Sequence, residues 1–487
     1  MMKRAMVFTS LVALALALAA CSDSDSFVAT GPPAASTTDV VTVGTITGFG
    51  SVVSHGIHFD TNGATIMVNG DPGTLSDLQI GMMVSIKGIV DDDTGAARAR
   101  EIHFVADMIG PVMSVNTDDG TFVMFGRTIV VDELTVAEGD SLNALAAGHV
   151  LQVSGQYRDQ NKIQATHMMR VANAYQAGMQ MQVRGEIEDL DVGNLRFRVG
   201  GQDCDYSGAA LELGGADLAN GLFVEVSSTT PMVGGDMILD RIQARDRDRD
   251  RDRLCDSDCD FEVEGYVTAF VSATEFEVDG QPVTTTDATV YVNGTVDSLA
   301  LDVKLAVDGT VDANGVLVAE RIVFRLPSLV EIDADVEAID LAAGSVTVLG
   351  INVQTDDMTI FRDHSAAEVA EFGLDDLAVG DRAEIRACID GVTVLATRLE
   401  RDDADDGVTL MAPVMSVDRP SLTLLGVVST SDQDTEFQNA AKEVIDADTF
   451  FGLVEPGSLV KNEGALGGGA ILADQMFLRE CSSDGCM

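Results

Sequence analysis

The chain has 487 residues, which is too long for one ordinary hydrophobic core, so we expect several domains. Hydrophobic residues make up 46% of the sequence, a share that supports packed interiors and excludes a disordered chain. The net charge of -49, the absence of tryptophan and an aromatic content of 5% argue against a nucleic-acid partner, because the surface repels phosphate and offers few rings for base stacking.

The first twenty residues have the pattern of an export signal. Lys3 and Arg4 precede an apolar run over residues 7–20 that is short for a membrane span, and the run ends in Leu18-Ala19-Ala20-Cys21. Small residues before a cysteine resemble the bacterial lipobox, which implies cleavage after residue 20 and lipid modification of Cys21. The alternative is an ordinary secretory signal that ends near a cysteine.

The expected location follows from this signal. A multiply acylated Cys21 would hold the protein to a membrane, since each buried methylene adds about 0.8 kcal/mol. Ser22 replaces the aspartate that resembles an inner-membrane retention signal, which favours the outer membrane. We therefore expect an outer-membrane lipoprotein of the bacterial cell envelope, periplasmic or surface-facing. Residues 1–20 would be the signal peptide, and residues 21–41 a flexible tether rich in Ser, Thr, Pro and Asp.

The rest of the chain contains a repeat of long period. A small residue followed two positions later by an aliphatic one opens each copy, at Gly44/Ile46, Gly110/Val112, Gly185/Ile187, Gly265/Val267, Ala334/Val336 and Ala412/Val414. A second landmark has mostly apolar residues at +3 and +5, and stands at Gly81, Gly148, Gly221, Asp302, Gly380 and Gly457. A closing strand begins 16 to 18 residues later in every copy. The +3/+5 alternation puts both side chains on one face of a strand.

These landmarks predict an all-β fold, a tandem array of about six small OB-like β-barrel units, each with a short helix between its third and fourth strands. Closure of each barrel would also remove exposed strand edges. The alternative architecture is a continuous β-stack that shares sheets between units. The expected repeats cover residues 42–106, 107–174, 179–245, 260–326, 330–402 and 408–478, with a charged linker at 246–259 and a C-terminal tail at 479–487.

The first unit carries a family resemblance. It contains GTITGFGSVVSHGIHFDTNGATIMVNG over residues 44–70, followed by TLSDLQIGMMVSIKG. This is similar to bacterial envelope lipoproteins built from tandem copies of the domain of unknown function 5666, and the resemblance covers residues 42–478. The sixth unit departs from the pattern, because Asn462 replaces an apolar residue and residues 442–457 distort the middle. The family has no assigned activity, so the resemblance supports the fold and the location and leaves the function open.

Candidate chemistry is sparse. No Gly-x-Ser-x-Gly elbow, His-Glu-x-x-His motif or Walker loop is present, and carboxylates are too frequent for one pair to stand out. Asp256, Asp258 and Asp260 copy the first half of an EF-hand loop, but Phe261 and Val267 occupy its sixth and twelfth positions. A looser calcium site at the three aspartates remains as an alternative to a solvated acidic loop. We expect no other cofactor.

The cysteines suit an oxidising compartment. Cys255 and Cys259 form one local pair and Cys481 and Cys486 another, so we expect two small disulfide loops. Cys204 and Cys388 fall in strands of different units, where we expect free thiols. Zinc is the rival for four cysteines, but the usual two-residue spacing is missing.

These observations favour a non-enzymatic, lipid-anchored protein that presents β-barrel surfaces to an envelope protein or glycan, since repetition favours avidity and reach over catalysis. Its expected partners are the membrane, through Cys21, and one such envelope component, with no nucleic acid. Two alternatives are a hydrolase acting on polysaccharide or cell wall, and a calcium-stabilised adhesion or scaffold protein. The Arg-Asp alternation over residues 245–253 is interpreted as a charged spacer between the third and fourth units.

Overall fold

The computed structural model describes residues 37–132, 134–138, 141–159, 161–244, 260–356, 358–369, 371–479, 481–482 and 485–486. Across these residues β-strands dominate and one α-helix is present. The predicted all-β class and the tandem repetition of small barrels are therefore confirmed. No helix in the described parts of the chain is long and apolar enough to cross a membrane.

The first two units contain the following elements. Unit 1 has β1 (Thr37–Thr45), β2 (Val52–Ser54), β3 (Ile57–Asp60), β4 (Thr65–Val68), β5 (Asp71–Pro72), a 3-10 helix (Leu75–Asp77), β6 (Met83–Asp91) and β7 (Ala97–Phe104). Unit 2 has β8 (Met108–Asn116), β9 (Thr121–Met124), β10 (Arg127–Val130), β11 (Val136–Glu138), a 3-10 helix (Leu142–Ala144), β12 (Val150–Asp159) and β13 (Lys162–Ala172).

The middle two units follow the same plan. Unit 3 has β14 (Met181–Asp191), β15 (Arg196–Val199), β16 (Gln202–Asp205), β17 (Ala210–Glu212), β18 (Phe223–Ser228), β19 (Met237–Ile238) and β20 (Arg241–Ala244). Unit 4 has β21 (Asp260–Ser272), β22 (Glu275–Val278), β23 (Gln281–Thr284), β24 (Val290–Val292), a 3-10 helix (Val296–Ser298), β25 (Lys304–Val311) and β26 (Leu317–Phe324).

The last two units are followed by a short tail. Unit 5 has β27 (Val330–Asp340), β28 (Ser345–Val348), β29 (Ile351–Gln354), β30 (Ile360–Asp363), a 3-10 helix (Leu374–Asp376), β31 (Arg382–Asp390) and β32 (Thr393–Asp402). Unit 6 has β33 (Val408–Asp418), β34 (Ser421–Leu424), β35 (Val427–Thr430), β36 (Glu436–Gln438), β37 (Val444–Ile445), α1 (Ala447–Leu453), β38 (Leu459–Gly467) and β39 (Ala470–Arg479). The tail forms β40 (Cys481–Ser482) and β41 (Gly485–Cys486).

Each unit closes on itself in the strand order of an OB barrel. In unit 2, β8 pairs with β9, β9 with β10, β10 in parallel with β13, β13 with β12, and β12 with β8. Units 4, 5 and 6 repeat these pairings. Unit 1 departs from this plan because the pairing of its first and second strands is reduced to a single bridge between Gly48 and Val53. Unit 3 departs from it because its last strand is split into β19 and β20.

A two-residue turn between the second and third strands explains the small residue that opens each unit. Its first residue has positive φ in all six units, at His55, Phe125, Gly200, Asp279, Leu349 and Leu425, and a glycine with positive φ follows each time. In unit 2, a Cβ placed on Gly110 would lie 2.2 Å from the Phe125 ring. In unit 1, a Cβ on Gly44 would lie 2.2 Å from His55 Nε2. The opening residue is small because the turn side chain lies over it.

The predicted helices are only partly present. Units 1, 2, 4 and 5 have one 3-10 turn each, and unit 6 has the seven-residue α1, whose N-cap Asp446 accepts from the Thr449 N–H. The prediction of a helix in unit 3 is wrong, because residues 213–222 contain none. Gly214 and Gly215 both have positive φ there, a conformation that a right-handed helix does not use.

The units pair through their first strands, which combines the two predicted architectures. β8 pairs with β14, β27 with β33, and β1 in parallel with β21, so units 2·3, 5·6 and 1·4 each share a 13-stranded sheet. Units 2 and 3 have one common hydrophobic core, and so do units 5 and 6. Units 1 and 4 keep separate cores, but Val41 and Val43 of β1 pack into the core of unit 4.

Candidate functional site

A cleft of about 600 Å³ opens where units 1, 2 and 5 meet. Concave sites of this size with a few converging polar groups are the usual place for a ligand. The cleft is lined by Ile80 from unit 1, by Ala137 and Glu138 from unit 2, and by Phe361, Arg362, Asp363, His364, Glu368, Val369 and Phe372 from unit 5.

The unit 2 wall is formed by β11 lying parallel to β13. Val136 is the register partner of His167, and Glu138 lies two residues further along β11. Side chains alternate along a strand, so Val136, Glu138 and His167 share one face. Gly81 of unit 1 packs here, since its Cβ would lie 2.6 Å from the Thr166 carbonyl oxygen and 2.8 Å from the Val136 Cβ. The close approach of units 1 and 2 therefore needs glycine at this position.

The unit 5 wall is organised by Arg362 on β30. Its register partner on β32 is Glu400, and Arg362 Nη1 donates to Glu400 Oε1 at 3.0 Å. Arg362 Nη2 lies 3.6 Å from Glu138 Oε1, which joins unit 5 to unit 2 by an ion pair longer than a hydrogen bond. Next to it, the side chain of Asp363 is shielded from solvent and accepts two hydrogen bonds from Arg401, so its charge is already balanced.

Arg362 belongs to a row of alternating charges that crosses three units. Each neighbouring pair along the row is 2.6 to 3.6 Å apart. The row runs Glu138, Arg362, Glu400, Arg398, Glu384, Arg386, Glu331, Lys461 and Glu463. Unit 2 supplies its first member and unit 6 its last two. Basic residues are scarce in so acidic a chain, and in this row Arg362 and Lys461 form ion pairs between units. These ion pairs favour fixed positions for units 2, 5 and 6.

His167 is completely buried behind the cleft, and neither ring nitrogen has a hydrogen-bond partner among the described residues. Burial, reinforced by the nearby positive charge of Arg362, lowers the pKa of His167 to about 4. The imidazole is therefore neutral at neutral pH and has one N–H donor and one acceptor. Gln79 precedes the cleft residue Ile80 in the sequence, and its buried side-chain oxygen has no hydrogen-bond partner in the part of the chain that the structure describes.

A second buried polar region lies along β12, whose residues Val150 to Arg158 are all buried. Its outward-facing side chains are Gln152, Ser154, Gln156 and Arg158. Gln152 accepts a hydrogen bond from Asn69 Nδ2 at 3.3 Å, and Ser154 accepts one from the Met83 N–H at 2.9 Å. Gln156 donates to the Glu264 carbonyl at 3.4 Å, and Arg158 forms an ion pair with Asp302. The first two partners are in unit 1 and the last two in unit 4. One strand of unit 2 therefore joins three units.

The junction of units 2 and 3 depends on Arg127, which is only 2% exposed. Its guanidinium donates to the Arg184 carbonyl and lies over the Tyr157 ring. A Cβ on Gly200 would lie 2.2 Å from Arg127 Nε, and a Cβ on Gly185 would lie 2.2 Å from Nη2. Unit 3 thus has glycine where other units have a turn side chain, and Arg127 of unit 2 fills the space.

Most of the sequence-predicted site lies outside the described residues: Cys21, Cys255, Cys259, Asp256 and Asp258 all do. Asp260 lies at the start of β21, where partial desolvation of its carboxyl and the nearby carboxylates of Glu320 and Asp92 raise its pKa. Within the described ranges, no group of three or more His, Cys, Asp or Glu residues could hold a metal ion. The calcium site stays a prediction.

The other four cysteines lie within the described residues. Cys481 and Cys486 are register partners across β40 and β41, so the backbone brings this pair together, and the disulfide itself stays a prediction. Cys204 and Cys388 are buried free thiols, which confirms the expectation for that pair. Burial raises the pKa of both, so neither thiol is activated.

Sequence reasoning missed the residues that join the units. Gln152, Ser154 and Gln156 alternate with apolar residues, a pattern that predicts a solvent-facing side. A usable signal was present, because Gly200 replaces a larger turn residue and Arg127 follows the equivalent turn of unit 2.

The fold defines a class: a tandem array of OB-type barrels joined in pairs through their first strands. The family model described as Domain of unknown function (DUF5666) matches residues 40–103, 109–169, 264–323 and 335–400. The chain belongs to this family, and the suspected resemblance is confirmed. The matches fall in units 1, 2, 4 and 5.

The comparisons with curated proteins and with solved structures add no argument about function. No curated protein matches the chain significantly. Among solved structures, "drosophila Unr CSD456" is similar over 45% of this chain and 95% of its own, with 10% sequence identity and a TM-score of 0.11. A TM-score this low carries no argument about fold or function.

Proposed function

We propose that the protein is a non-enzymatic component of the bacterial cell envelope, lipid-anchored through Cys21, that presents a fixed set of barrel surfaces to a protein or glycan. The observation that carries the proposal is the buried polar packing along β12. Gln152 and Ser154 bond to unit 1, and Gln156 and Arg158 to unit 4. If the units moved independently, these polar side chains of β12 would lose their partners or be exposed to water.

Fixed units suit the presentation of surfaces, because a partner that contacts several of them loses little binding free energy to the ordering of the units. The cleft among units 1, 2 and 5 exists only while those units stay in place. Its lining residues come from three separate repeats, and its polar ones from units 2 and 5, so the repeated unit alone does not encode the site.

The anchor and the binding role are tested together with the full chain and a Cys21→Ser variant. We expect the wild type to fractionate with outer membranes and to incorporate a labelled fatty acid, and the variant to do neither. Both proteins should retain the same envelope component in pull-downs from detergent extracts. A wild-type protein without label would contradict the anchor, and a protein that retains nothing would contradict the binding role.

A further inference from the structure

The cleft among units 1, 2 and 5 has apolar walls, and all three units contribute to them. The apolar lining residues are Ile80 of unit 1, Ala137 of unit 2, and Phe361, Val369 and Phe372 of unit 5. Phe361 lies on β30, which pairs in parallel with β32, so this wall is part of a sheet. A cleft of about 600 Å³ with such walls has room for a long aliphatic side chain.

The polar lining of the cleft is mostly acidic, and part of it has no cation. Among the described residues, Glu138 pairs only with Arg362, at 3.6 Å, and its side chain is 39% exposed. Glu368 is exposed and forms no ion pair within the same part of the chain. The positive charge of Arg362 is already offset, because Arg362 donates to Glu400 at 3.0 Å. The cleft therefore attracts a positive group.

Further carboxylates lie near the cleft. The Ala366 N–H, in the loop that carries Glu368, donates to Asp403 Oδ1 at 3.0 Å, so Asp403 lies beside that loop. A Cβ on Gly50 of unit 1 would lie 3.7 Å from Glu371 Oε2, so Glu371 lies where units 1 and 5 meet. Both carboxylates are exposed, and neither forms an ion pair in the described ranges. A basic protein surface can therefore pair with several carboxylates at once, whereas a small free amine pairs only within the cleft.

We propose that this cleft receives a lysine or arginine side chain of a protein partner. The aliphatic stem packs against the apolar walls, and the ammonium or guanidinium group pairs with Glu138 and Glu368. The net charge of -49 attracts a basic surface to the protein before contact. The proposal names the partner chemistry of the proposed function and rests on that binding role, but not on the lipid anchor.

The test uses the full chain in detergent and titration calorimetry at neutral pH. The probe is a capped Lys-Gly-Lys-Gly-Lys peptide, and its counterpart with norleucine in place of lysine keeps the aliphatic stems without their charges. n-Butylamine represents a free amine. The lysine peptide should bind at least about tenfold more tightly than either, because only this peptide combines stem, charge and several ammonium groups.

Variants of the cleft separate it from the general acidity of the protein. The double variant Glu138→Gln/Glu368→Gln should weaken binding of the lysine peptide at least about tenfold, because both unbalanced carboxylates of the lining are gone. The matched control is Asp434→Asn/Glu455→Gln, which removes the same charge at two exposed residues of unit 6 that do not line the cleft. Its affinity for the peptide should equal that of the wild type.

Glu138 also joins units 2 and 5, so Glu368→Gln alone, at an exposed residue, provides a second measurement and should weaken binding several-fold. Equal losses in the two double variants would overturn the proposal, as would equal binding of the lysine and norleucine peptides. n-Butylamine that binds as tightly as the lysine peptide would overturn it too, since the cleft would then take a free amine. Retention of an envelope component without a preference for lysine would overturn it and leave the proposed function standing.

Discussion

Glu262 and Glu264 lie two residues apart on the same face of β21, and their surroundings act on them in opposite directions. Burial favours the neutral form of both. At Glu264 it is outweighed by Arg325, Lys304 and His55, so the pKa falls to about 2. At Glu262 burial is reinforced by Asp308 and Asp260 and opposed only by Arg321, so the pKa rises to about 8. Whether a buried carboxylate is ionised thus depends on which neighbours the sheet places beside it.

The register between units 1 and 4 explains why Glu262 lies against unit 1. Counted from the opening glycines Gly44 and Gly265, Glu262 is equivalent to Val41, yet it pairs with Thr42. This slip of one residue puts equivalent side chains on opposite faces of the shared sheet. Glu262 therefore sits in a row beside Thr42 and Ile86, next to the core of unit 1.

The largest expected effect comes from removing the balanced charge. Glu264→Gln leaves Lys304 and Arg325, 3.2 and 3.4 Å from the carboxylate, without their anion in a buried site. We expect a loss of about 3–5 kcal/mol in the free energy of unfolding. Glu262→Gln at pH 7 should instead raise it, by up to about 3 kcal/mol, because the Glu262 carboxyl is ionised in the unfolded chain and must be protonated on folding, whereas the amide incurs no such cost. Denaturant unfolding of both variants checks this, and equal losses would contradict the comparison.

The pH dependence of stability should separate the two residues further. The pKa of Glu262 is raised from 4.5 to about 8 in the folded state, so its contribution is fully present below pH 4.5 and is lost as the pH rises to about 8. The slope approaches about 1.4 kcal/mol per pH unit within that window. Glu262→Gln should lack this slope in thermal melts from pH 5 to 9. A wild type and variant that stay parallel would refute it.

The buried Arg127 at the junction of units 2 and 3 provides a steric test. Gly200→Ala puts a Cβ 2.2 Å from Arg127 Nε at a residue with φ of +59°. We expect a loss of about 2–3 kcal/mol from crowding and backbone strain together. The control is Gly350→Ala, at a φ of +71° with nothing within 4 Å, which should cost only about 1 kcal/mol. Equal losses would mean that Arg127 yields without cost.

How much the sequence predicts depends on whether a feature is local. Strand alternation and turn glycines are local, so the all-β repeats could be predicted, and Cys204 could be placed in a core from its alignment with Val283. The cleft could not be predicted, because Ile80, Glu138 and Arg362 come together only when three units pack. The pairing of unit 1 with unit 4, across two intervening units, is equally invisible to a pattern read within one repeat.

The smallest expected effect changes sign with pH. Asp308 lies directly opposite Glu262 on β25 and pairs with Arg321 at 3.4 Å, and Arg321 is 54% exposed. At pH 6, where Glu262 is protonated, Asp308→Asn removes only this surface ion pair and should cost up to about 0.5 kcal/mol. At pH 9 Glu262 is ionised, and the variant removes a like charge directly across the strands. Its free energy of unfolding should therefore rise by about 0.5 kcal/mol. The gain should vanish in the double variant with Glu262→Gln, because no second negative charge remains to be relieved. A loss of the same size at both pH values would show that Asp308 does not act on Glu262, and that burial and Asp260 keep the carboxyl neutral.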